Sequence, residues 1–245
     1  METKNYSITF TKKLSFLCLI SIILSSWLHH AQEISFGSSG LLGEDILNPT
    51  SLDFGLDNKL YVSQQGGIIW QFNIARNDAM AGEGIYSATE VNAIDLVQQN
   101  IPNHTDDGAI TTIKLRQVTG IATAGTAENP VLYVTSSDNL IGGGGAANDR
   151  NLDTNSGMLS RLTYNGSEWE KVDLIRGLPR CEENHSTNGM DIFIKDGIQY
   201  MLLQQGGHTN MGAPSNNFVG TPEYLLSGSL LICLLYTSPS PRDRG

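Results

Sequence analysis

Two stretches of the sequence are so alike that they decide the fold. The first is NPTSLDFGLDNKLYVSQQGG, from Asn48 to Gly67, and the second is HSTNGMDIFIKDGIQYMLLQQGG, from His185 to Gly207. A third copy, VTGIATAGTAENPVLYVTSSDN, lies between them at residues 118–139. Each copy has a small or polar triplet, an alternating apolar run, a turn and a second run around a tyrosine. This pattern is typical of two paired β-strands.

The three copies are evenly spaced along the chain. Their triplets begin at Pro49, Val118 and Thr187, so the repeat is 69 residues long. The tyrosines follow in the same order, at Tyr61, Tyr133 and Tyr200. A repeat of this length with about four strands per unit indicates a propeller. We therefore predict an all-β chain that contains about three propeller blades.

The strands of these blades are predicted from the same alternation. The Asn165-Gly166 pair is a strong hairpin signal within the second unit, and helix caps followed by a helical apolar period are nearly absent, so little helix is expected. The predicted strands lie near 50–56, 60–65, 68–74, 118–124, 131–136, 157–163, 169–175, 189–194, 198–204 and 227–232.

The amino-terminal segment does not follow the repeat. Lysines precede LSFLCLISIILSSWL, residues 14–28, which carries no charge. This run is short for a membrane span, which needs about 20 residues, but is typical of a secretory signal. We predict a signal peptide at residues 1–31, with an uncleaved anchor as the alternative. A secreted, periplasmic or cell-surface protein with no membrane association after cleavage is therefore expected.

The carboxyl-terminal segment also stands apart. CLLYTSPSPRD, residues 233–243, resembles a translated sequencing adapter. We therefore expect the partial propeller domain to span residues 32–232 and residues 233–245 to pack on nothing. A genuine Pro/Ser-rich tail is the alternative.

Composition excludes several classes of function. The formal net charge is −10 and the sequence pI is about 4.8, which disfavours binding to nucleic acid or to anionic membranes. Cys181 is the single cysteine between the two terminal segments, so neither a disulfide framework nor a cysteine metal cluster is expected.

Longer motifs in the chain resemble a known family. RQVTGIATAGTAENPVLYVTSS (116–137) and NHSTNGMDIFIKDGIQYMLLQQGG (184–207) are similar to stretches of the glucose/sorbosone dehydrogenases, soluble quinoproteins that use pyrroloquinoline quinone (PQQ). The resemblance implies a TolB-like, six-bladed propeller, of which about three blades are present. The chain also resembles a group of secreted bacterial propeller proteins through IPNHTDDG (101–108), LDTNSG (152–157), RGLPRCEENH (176–185) and GGHTNMGAPSNNF (206–218).

The resemblance implies a set of catalytic and cofactor residues. His185 matches the family histidine that takes the proton from the sugar hydroxyl, a step that suits a neutral imidazole. A hydrogen-bonded loop histidine is the alternative, because His185 lies one residue further from Gly189 than the family spacing. PQQ carries carboxylates that favour arginine forks. The candidate cofactor residues are Arg116, Gln117, Arg180, His208 and Asn210.

A calcium site is predicted in DRNLDTNSG, residues 149–157. Alternate oxygen-bearing side chains in a glycine-bounded loop can converge on a hard cation. A loop whose Asx side chains bond its own backbone is the alternative. The candidate ligands are Asp149, Asn151, Asp153 and Asn155.

Three functions remain open at this point. The first is a PQQ- and calcium-dependent dehydrogenase acting on a sugar or another small alcohol, inactive as a fragment because half a ring cannot enclose the cofactor. The second is a non-catalytic secreted propeller that binds carbohydrate or protein. The third is the amino-terminal module of a larger surface protein. A propeller fold supports all three equally.

Overall fold

The structure, a computed structural model, describes residues 46–77, 85–98, 115–139, 154–180, 185–207 and 223–235. All of them belong to one compact unit, residues 40–245. Within the described ranges the chain forms eleven strands in three antiparallel sheets, one 3₁₀ turn at Leu96–Gln98 and no α-helix. The same ranges contain no helix that is long and apolar enough to cross a membrane.

Each sheet is a meander in which strands that follow each other in sequence pair side by side. The first sheet contains β1 (Pro49–Phe54), β2 (Lys59–Gln64), β3 (Ile69–Asn77) and β4 (Ile85–Ile94). The second contains β5 (Arg116–Gly125), β6 (Pro130–Asp138), β7 (Gly157–Tyr164) and β8 (Trp169–Leu178). The third contains β9 (Thr187–Lys195), β10 (Ile198–Gln205) and β11 (Ser229–Leu235). The all-β prediction is confirmed.

The predicted Asn165-Gly166 hairpin is also confirmed. Tyr164 pairs with Trp169 across it, and Gly166 has a φ of 99°, a left-handed conformation that favours glycine. The Asn165 side-chain Oδ1 accepts hydrogen bonds from the backbone N–H groups of Ser167 and Glu168, both at 3.0 Å. The turn is therefore closed by its own asparagine.

Two strands differ from the prediction. β4, with the sequence IYSATEVNAI, was not predicted because its polar residues interrupt the alternation. β11 continues to Leu235, so the expectation that residues 233–245 pack on nothing is wrong for residues 233–235. The physical reason is that Cys233 and Leu235 continue the apolar alternation of Leu231 and pack against the neighbouring sheet. Residues 236–245 and the predicted signal segment lie outside the described residues.

The three sheets are arranged around their first strands, β1, β5 and β9, which run parallel to one another. The Ile121 N–H donates to Ser51 Oγ at 3.3 Å, and the Thr119 hydroxyl donates to the Thr187 carbonyl. The Thr135 hydroxyl reaches the Asn188 carbonyl at 2.8 Å. The 69-residue repeat of the sequence is therefore the step from one sheet to the next, and the sheets are consecutive blades of a propeller.

Apolar cores fill the spaces between adjacent sheets. The core between the first and second sheets contains Tyr61, Ile69, Ile94, Val97, Val118, Ile121, Leu132, Val134 and Leu162. The core between the second and third is built around Tyr133, Leu159 and Met201, with Cys233 packed against it. Burial there raises the pKa of the Cys233 thiol. Burial also raises the pKa of Tyr133, although the positive charge of Arg161 opposes this.

The outward faces of the first and third sheets are apolar and exposed. On the first sheet Leu52 is 65% exposed and Phe54 is 55% exposed, beside the half-covered cluster around Phe72. On the third sheet Leu230 is 60% exposed and Ile232 is 65% exposed. We call these two surfaces the outer faces. They are apolar, like the faces that are buried between neighbouring sheets, but no described residue covers them.

The two edges of the blades differ in their connections. Because β1, β5 and β9 are parallel and each sheet is a meander, all odd-numbered strands begin at one edge, which we call the loop edge. Most connections at this edge are long, and all four motifs of the group fall on them or on the strand ends that flank them. At the opposite edge, the hairpin edge, the turns at 55–58, 126–129, 165–168 and 196–197 have at most four residues each, and the connection from β3 to β4 at residues 78–84 has seven.

Candidate functional site at the loop edge

The candidate site residues that the structure describes gather at the loop edge. Arg116 and Gln117 begin β5, Arg180 follows β8, and His185 precedes β9. Asn155, the fourth candidate calcium ligand, is exposed just before β7. The other predicted residues, Asp149, Asn151, Asp153, His208 and Asn210, lie outside the described residues.

Arg180 is completely buried and ties together several segments of the second sheet. Its Nη2 donates to Gln117 Oε1 at 3.0 Å, and its Nε donates to the Asp138 carbonyl at 3.4 Å. Its backbone N–H donates to the Thr154 carbonyl at 2.7 Å. The residue therefore links the start of β5, the end of β6 and the segment before β7.

Arg116 has a similar environment and is 1% exposed. Its Nη2 donates to the Ser156 carbonyl at 2.5 Å, and the Ser156 hydroxyl accepts the Asp138 N–H at 3.0 Å. The sequence prediction missed Asp138 and Ser156 as members of this network. The signal for Asp138 was the polar run TSSD at the end of an otherwise apolar strand, and Ser156 belongs to the motif LDTNSG, residues 152–157.

The glutamine of the QQGG motif plays the same part in the third sheet. Gln205 is 5% exposed, accepts the Thr187 hydroxyl at 2.7 Å and donates from Nε2 to the Pro179 carbonyl at 2.8 Å. It thereby joins β9, β10 and the segment that follows β8. In the first sheet the corresponding Gln65 accepts the Val118 N–H of β5 through its backbone carbonyl at 3.4 Å. The repeated motif therefore connects one blade to the next.

His185 stands apart from this network. The residue is partly buried, and its Nδ1 is buried without a hydrogen-bond partner among the residues that the structure describes. Its backbone lies against Gly206, where an added Cβ would come within 3.3 Å of the His185 Cβ and 3.0 Å of the Ser186 carbonyl oxygen. A glycine at position 206 thus allows the histidine segment to approach the end of β10.

The cofactor candidates do not fit the role of PQQ ligands. The two guanidinium groups are at most 1% exposed, and the donors described above bond to protein oxygens rather than facing an open site. Gln117 is 6% exposed and is an acceptor for Arg180. Arginine forks that bind a carboxylate ligand need accessible, unused donors. We therefore derive no step of a reaction through PQQ.

The described residues likewise contain no group of three or more His, Cys, Asp or Glu side chains placed to hold a metal ion. Three of the four predicted calcium ligands lie outside these ranges, so the calcium site stays a prediction.

The first strands of the blades also line a cavity of about 280 Å³. Asp53 and Asp191 border it together with Thr123 and Gly189. Asp53 is used in a contact between the first two sheets, since it accepts from Thr123. The Asp191 carboxylate accepts the N–H of Ile192 at 2.8 Å. The cavity therefore lies along the innermost strands of the propeller. Both carboxylates that border it accept hydrogen bonds from backbone N–H groups.

Comparison with known proteins gives a distant structural similarity. No family model and no curated protein matches the chain. A crystal structure of a protein from Thermus thermophilus, provisionally described as an oxidoreductase (glucose dehydrogenase), is similar with a TM-score of 0.36 and 16% sequence identity. The similarity covers 68% of this chain and 39% of that protein, so the chain spans well under half the length of the protein it matches. At this level the similarity assigns neither a family nor a function.

Proposed function

We propose that this chain is part of a secreted propeller that binds a sugar or another small alcohol at the loop edge, without using Arg116, Gln117 and Arg180 to hold a cofactor. The observation that carries the proposal is the buried Nδ1 of His185, which has no hydrogen-bond partner among the described residues. It lies at the edge where the two arginines are buried in a network of protein acceptors. Such a network holds the edge rigid, and a rigid scaffold is what positions the binding loops of many proteins.

His185 is the residue proposed to contact the ligand. A buried imidazole nitrogen without a partner costs free energy unless a ligand or another group completes its hydrogen bond. Within the described residues nothing completes it. A ligand hydroxyl has the required chemistry, because it can both donate to and accept from an imidazole.

Binding assays on the protein test this proposal. Calorimetric titration with a panel of aldoses and small alcohols is expected to show binding, and His185→Ala is expected to weaken it. Lys195→Ala, a change at an exposed position at the opposite end of β9, serves as the control and is expected to leave the affinity unchanged. Absence of binding to every compound in the panel would overturn the proposal.

A second candidate function, oxidation of the same hydroxyl, is favoured by His185 itself. An imidazole at this edge has the chemistry of a general base that removes a proton from an alcohol. The electron acceptor would need partners other than the three buried side chains. If the protein reconstituted with PQQ and calcium reduces a dye in the presence of a sugar, and His185→Ala lowers turnover by about 10²–10⁴, the oxidoreductase function is correct. If an absorbance titration shows no PQQ binding, the PQQ-dependent reaction is excluded.

A further inference from the structure

A cavity of about 310 Å³ opens between the first and second sheets at their hairpin edge. This is the opposite edge from His185, so the cavity is not part of the proposed binding edge. The side chains that decide its chemistry are Lys59, Gln71, Asn92, Glu128, Tyr164 and Trp169. The first three come from the first sheet and the last three from the second, which makes the cavity a property of the junction between blades.

The aromatic part of the cavity is held firmly. The Trp169 ring meets Tyr61 edge-on, with the centroids 6.1 Å apart and an interplanar angle of 85°. It also lies 5.5 Å from the Tyr164 ring at a tilt of 51°. Trp169 packs against the core between the two sheets, yet it remains partly exposed. Its accessible surface therefore belongs to a fixed aromatic platform that borders the cavity.

The acidic group at the base of the cavity is already neutralised. The Asp57 side chain is 3% exposed, and its Oδ2 accepts the Tyr61 hydroxyl at 2.8 Å and the Lys59 ammonium at 3.2 Å. Gln71 Nε2 donates to the same oxygen at 3.4 Å and to the Tyr61 hydroxyl oxygen at 2.8 Å. Burial, and then the hydrogen bond to Asp57, raise the pKa of Tyr61, which keeps the phenol a neutral donor. These contacts fix the side chains before any ligand arrives.

Polar groups remain for a ligand at the open side. Gln71 and Asn92 are direct partners across β3 and β4, so their amides lie on the same face of the sheet. Asn92 and Glu128 are exposed at the rim. Among the described residues, neither side chain has a hydrogen-bond partner, and the Gln71 side chain is bonded only through its nitrogen. The rim thus offers amide donors, amide acceptors and one carboxylate.

We propose that this cavity binds a single sugar ring of a carbohydrate. A sugar ring presents an apolar C–H face to an aromatic platform and hydroxyl groups to amides and carboxylates at its edge. The Lys59 ammonium is compensated by Asp57, so Glu128 is the charged group of the cavity lining that is left for a ligand, and it disfavours an anion. A neutral, hydroxyl-rich ligand can donate hydrogen bonds to this carboxylate and to the amide oxygens. The volume lies at the lower end of the usual range for small-molecule sites, about 300–1,000 Å³, which suits one ring.

Ligand-observed NMR on the full chain tests the proposal, with D-glucose, D-galactose, D-xylose and N-acetyl-D-glucosamine as the probes. At least one probe is expected to show saturation transfer to its ring protons. Glu128→Ala and Asn92→Ala change exposed positions and are expected to weaken binding about three- to tenfold each. Trp169→Ala is expected to abolish it, and Trp169→Phe to retain part of it because the aromatic surface is kept.

Two further variants locate the binding. Glu168→Ala is the matched control for Glu128→Ala, because Glu168 is an exposed glutamate in the next hairpin turn that does not border the cavity. It is expected to leave affinity unchanged, as is His185→Ala. If no probe binds, or if the Glu128, Asn92 and Trp169 variants bind as tightly as the parent chain, the proposal is wrong. Binding lost only in His185→Ala supports the loop-edge function and overturns this second site.

Discussion

Asp53 and Thr123 lie 70 residues apart in sequence and form a two-point contact between neighbouring sheets. The Asp53 carboxylate oxygen Oδ2 accepts the backbone N–H of Thr123 at 2.8 Å and its hydroxyl at 2.9 Å. The same hydroxyl reaches the Phe54 carbonyl at 2.9 Å. The contact joins the first strands of two blades, so it holds the repeat in register.

The first prediction concerns the strength of this contact. Hydrogen bonds to charged groups contribute about 1.5–3 kcal/mol, and partial exposure of Asp53 favours the lower end. A double-mutant cycle with Asp53→Ala and Thr123→Ala is expected to give a coupling free energy of about 1 kcal/mol in urea unfolding. Thr123→Ser keeps the hydroxyl and is expected to retain the coupling. Because the backbone N–H of Thr123 is present in both variants, strictly additive effects would show that the hydroxyl does not contribute to the contact between the two sheets.

The second prediction separates a structural Arg180 from a cofactor ligand. Arg180→Ala leaves buried acceptors on Gln117 and Asp138 without their donor, and each costs about 1–3 kcal/mol. A clear drop in melting temperature is therefore expected. Arg176→Ala, at a side chain that is 60% exposed, is expected to cost less than about 1 kcal/mol. Unchanged stability in Arg180→Ala, combined with weaker PQQ binding, would assign the residue to a cofactor site instead.

The third prediction is a loss of stability in acid that depends on Asp173. Burial acts to raise the pKa of this carboxyl, but the hydrogen bonds from Ser160 and Arg176 and the charge of Lys171 outweigh it, so the pKa is lowered. A lowered pKa in the folded state adds stability above the unfolded value of about 3.9, and this stability is lost as the pH falls through the folded value.

Denaturation between pH 2 and pH 7 measures this effect. Asp173→Asn is expected to flatten the acid limb of the stability curve, whereas Glu168→Gln, at an exposed glutamate, is expected to leave it unchanged. Lys171 does not contribute to the acid limb. Burial lowers the pKa of its ammonium despite the attraction of Asp173, so its titration affects only the alkaline side. If the stability of Asp173→Asn falls in acid as steeply as that of the parent chain, Asp173 is not the source of the acid limb.

The fourth prediction concerns self-association through the outer faces. Exposed contiguous apolar surface favours aggregation or docking. The double variant Leu52→Thr with Ile232→Thr is expected to shift the chain towards the monomer in light scattering. Val172→Thr changes an exposed valine, 48% exposed, on the second sheet and is the control. Equal aggregation of all three proteins would mean that the outer faces do not drive association.

The fifth prediction is calcium binding by residues 149–155. Titration of the protein with calcium is expected to release heat and raise the melting temperature, and Asp153→Ala is expected to weaken both effects. A control titration with Asp191→Ala, in which a carboxylate of another sheet is removed, is expected to match the parent chain. A loop that only bonds its own backbone predicts no heat and no thermal shift in any of these proteins.

The sequence was informative where one physical pattern dominated. The 69-residue step, the Asn165-Gly166 turn and the alternation of the inner strands predicted three sheets, which the structure confirms. β4 was missed because the polar residues of IYSATEVNAI interrupt the alternation, whereas β8, also at the edge of its sheet, alternates clearly and was predicted. The extension of β11 departs from the prediction because Cys233 and Leu235 continue the apolar alternation of the strand, although the segment that begins at Cys233 resembles an adapter.

The site was less predictable for a different reason. Residue type indicated that Arg116 and Arg180 have a role at the site. A sequence does not distinguish an arginine that binds a ligand from an arginine that donates to a buried carbonyl. Only the structure shows that Ser156 and Gln117 accept their hydrogen bonds. The roles of His185 and of the calcium loop stay predictions, and three of the four calcium ligands lie outside the described ranges.

The meander within each sheet has a consequence for the order of folding. Pairs within a sheet join strands that are near in sequence, whereas contacts such as Thr119 to Thr187 join residues 68 positions apart. Short-range pairs close cheaply and early, and long-range pairs form late. We therefore expect each sheet to form as its own segment leaves the ribosome. Each new sheet exposes an apolar face until the next sheet forms and covers it. During this interval the exposed face is a binding site for a chaperone.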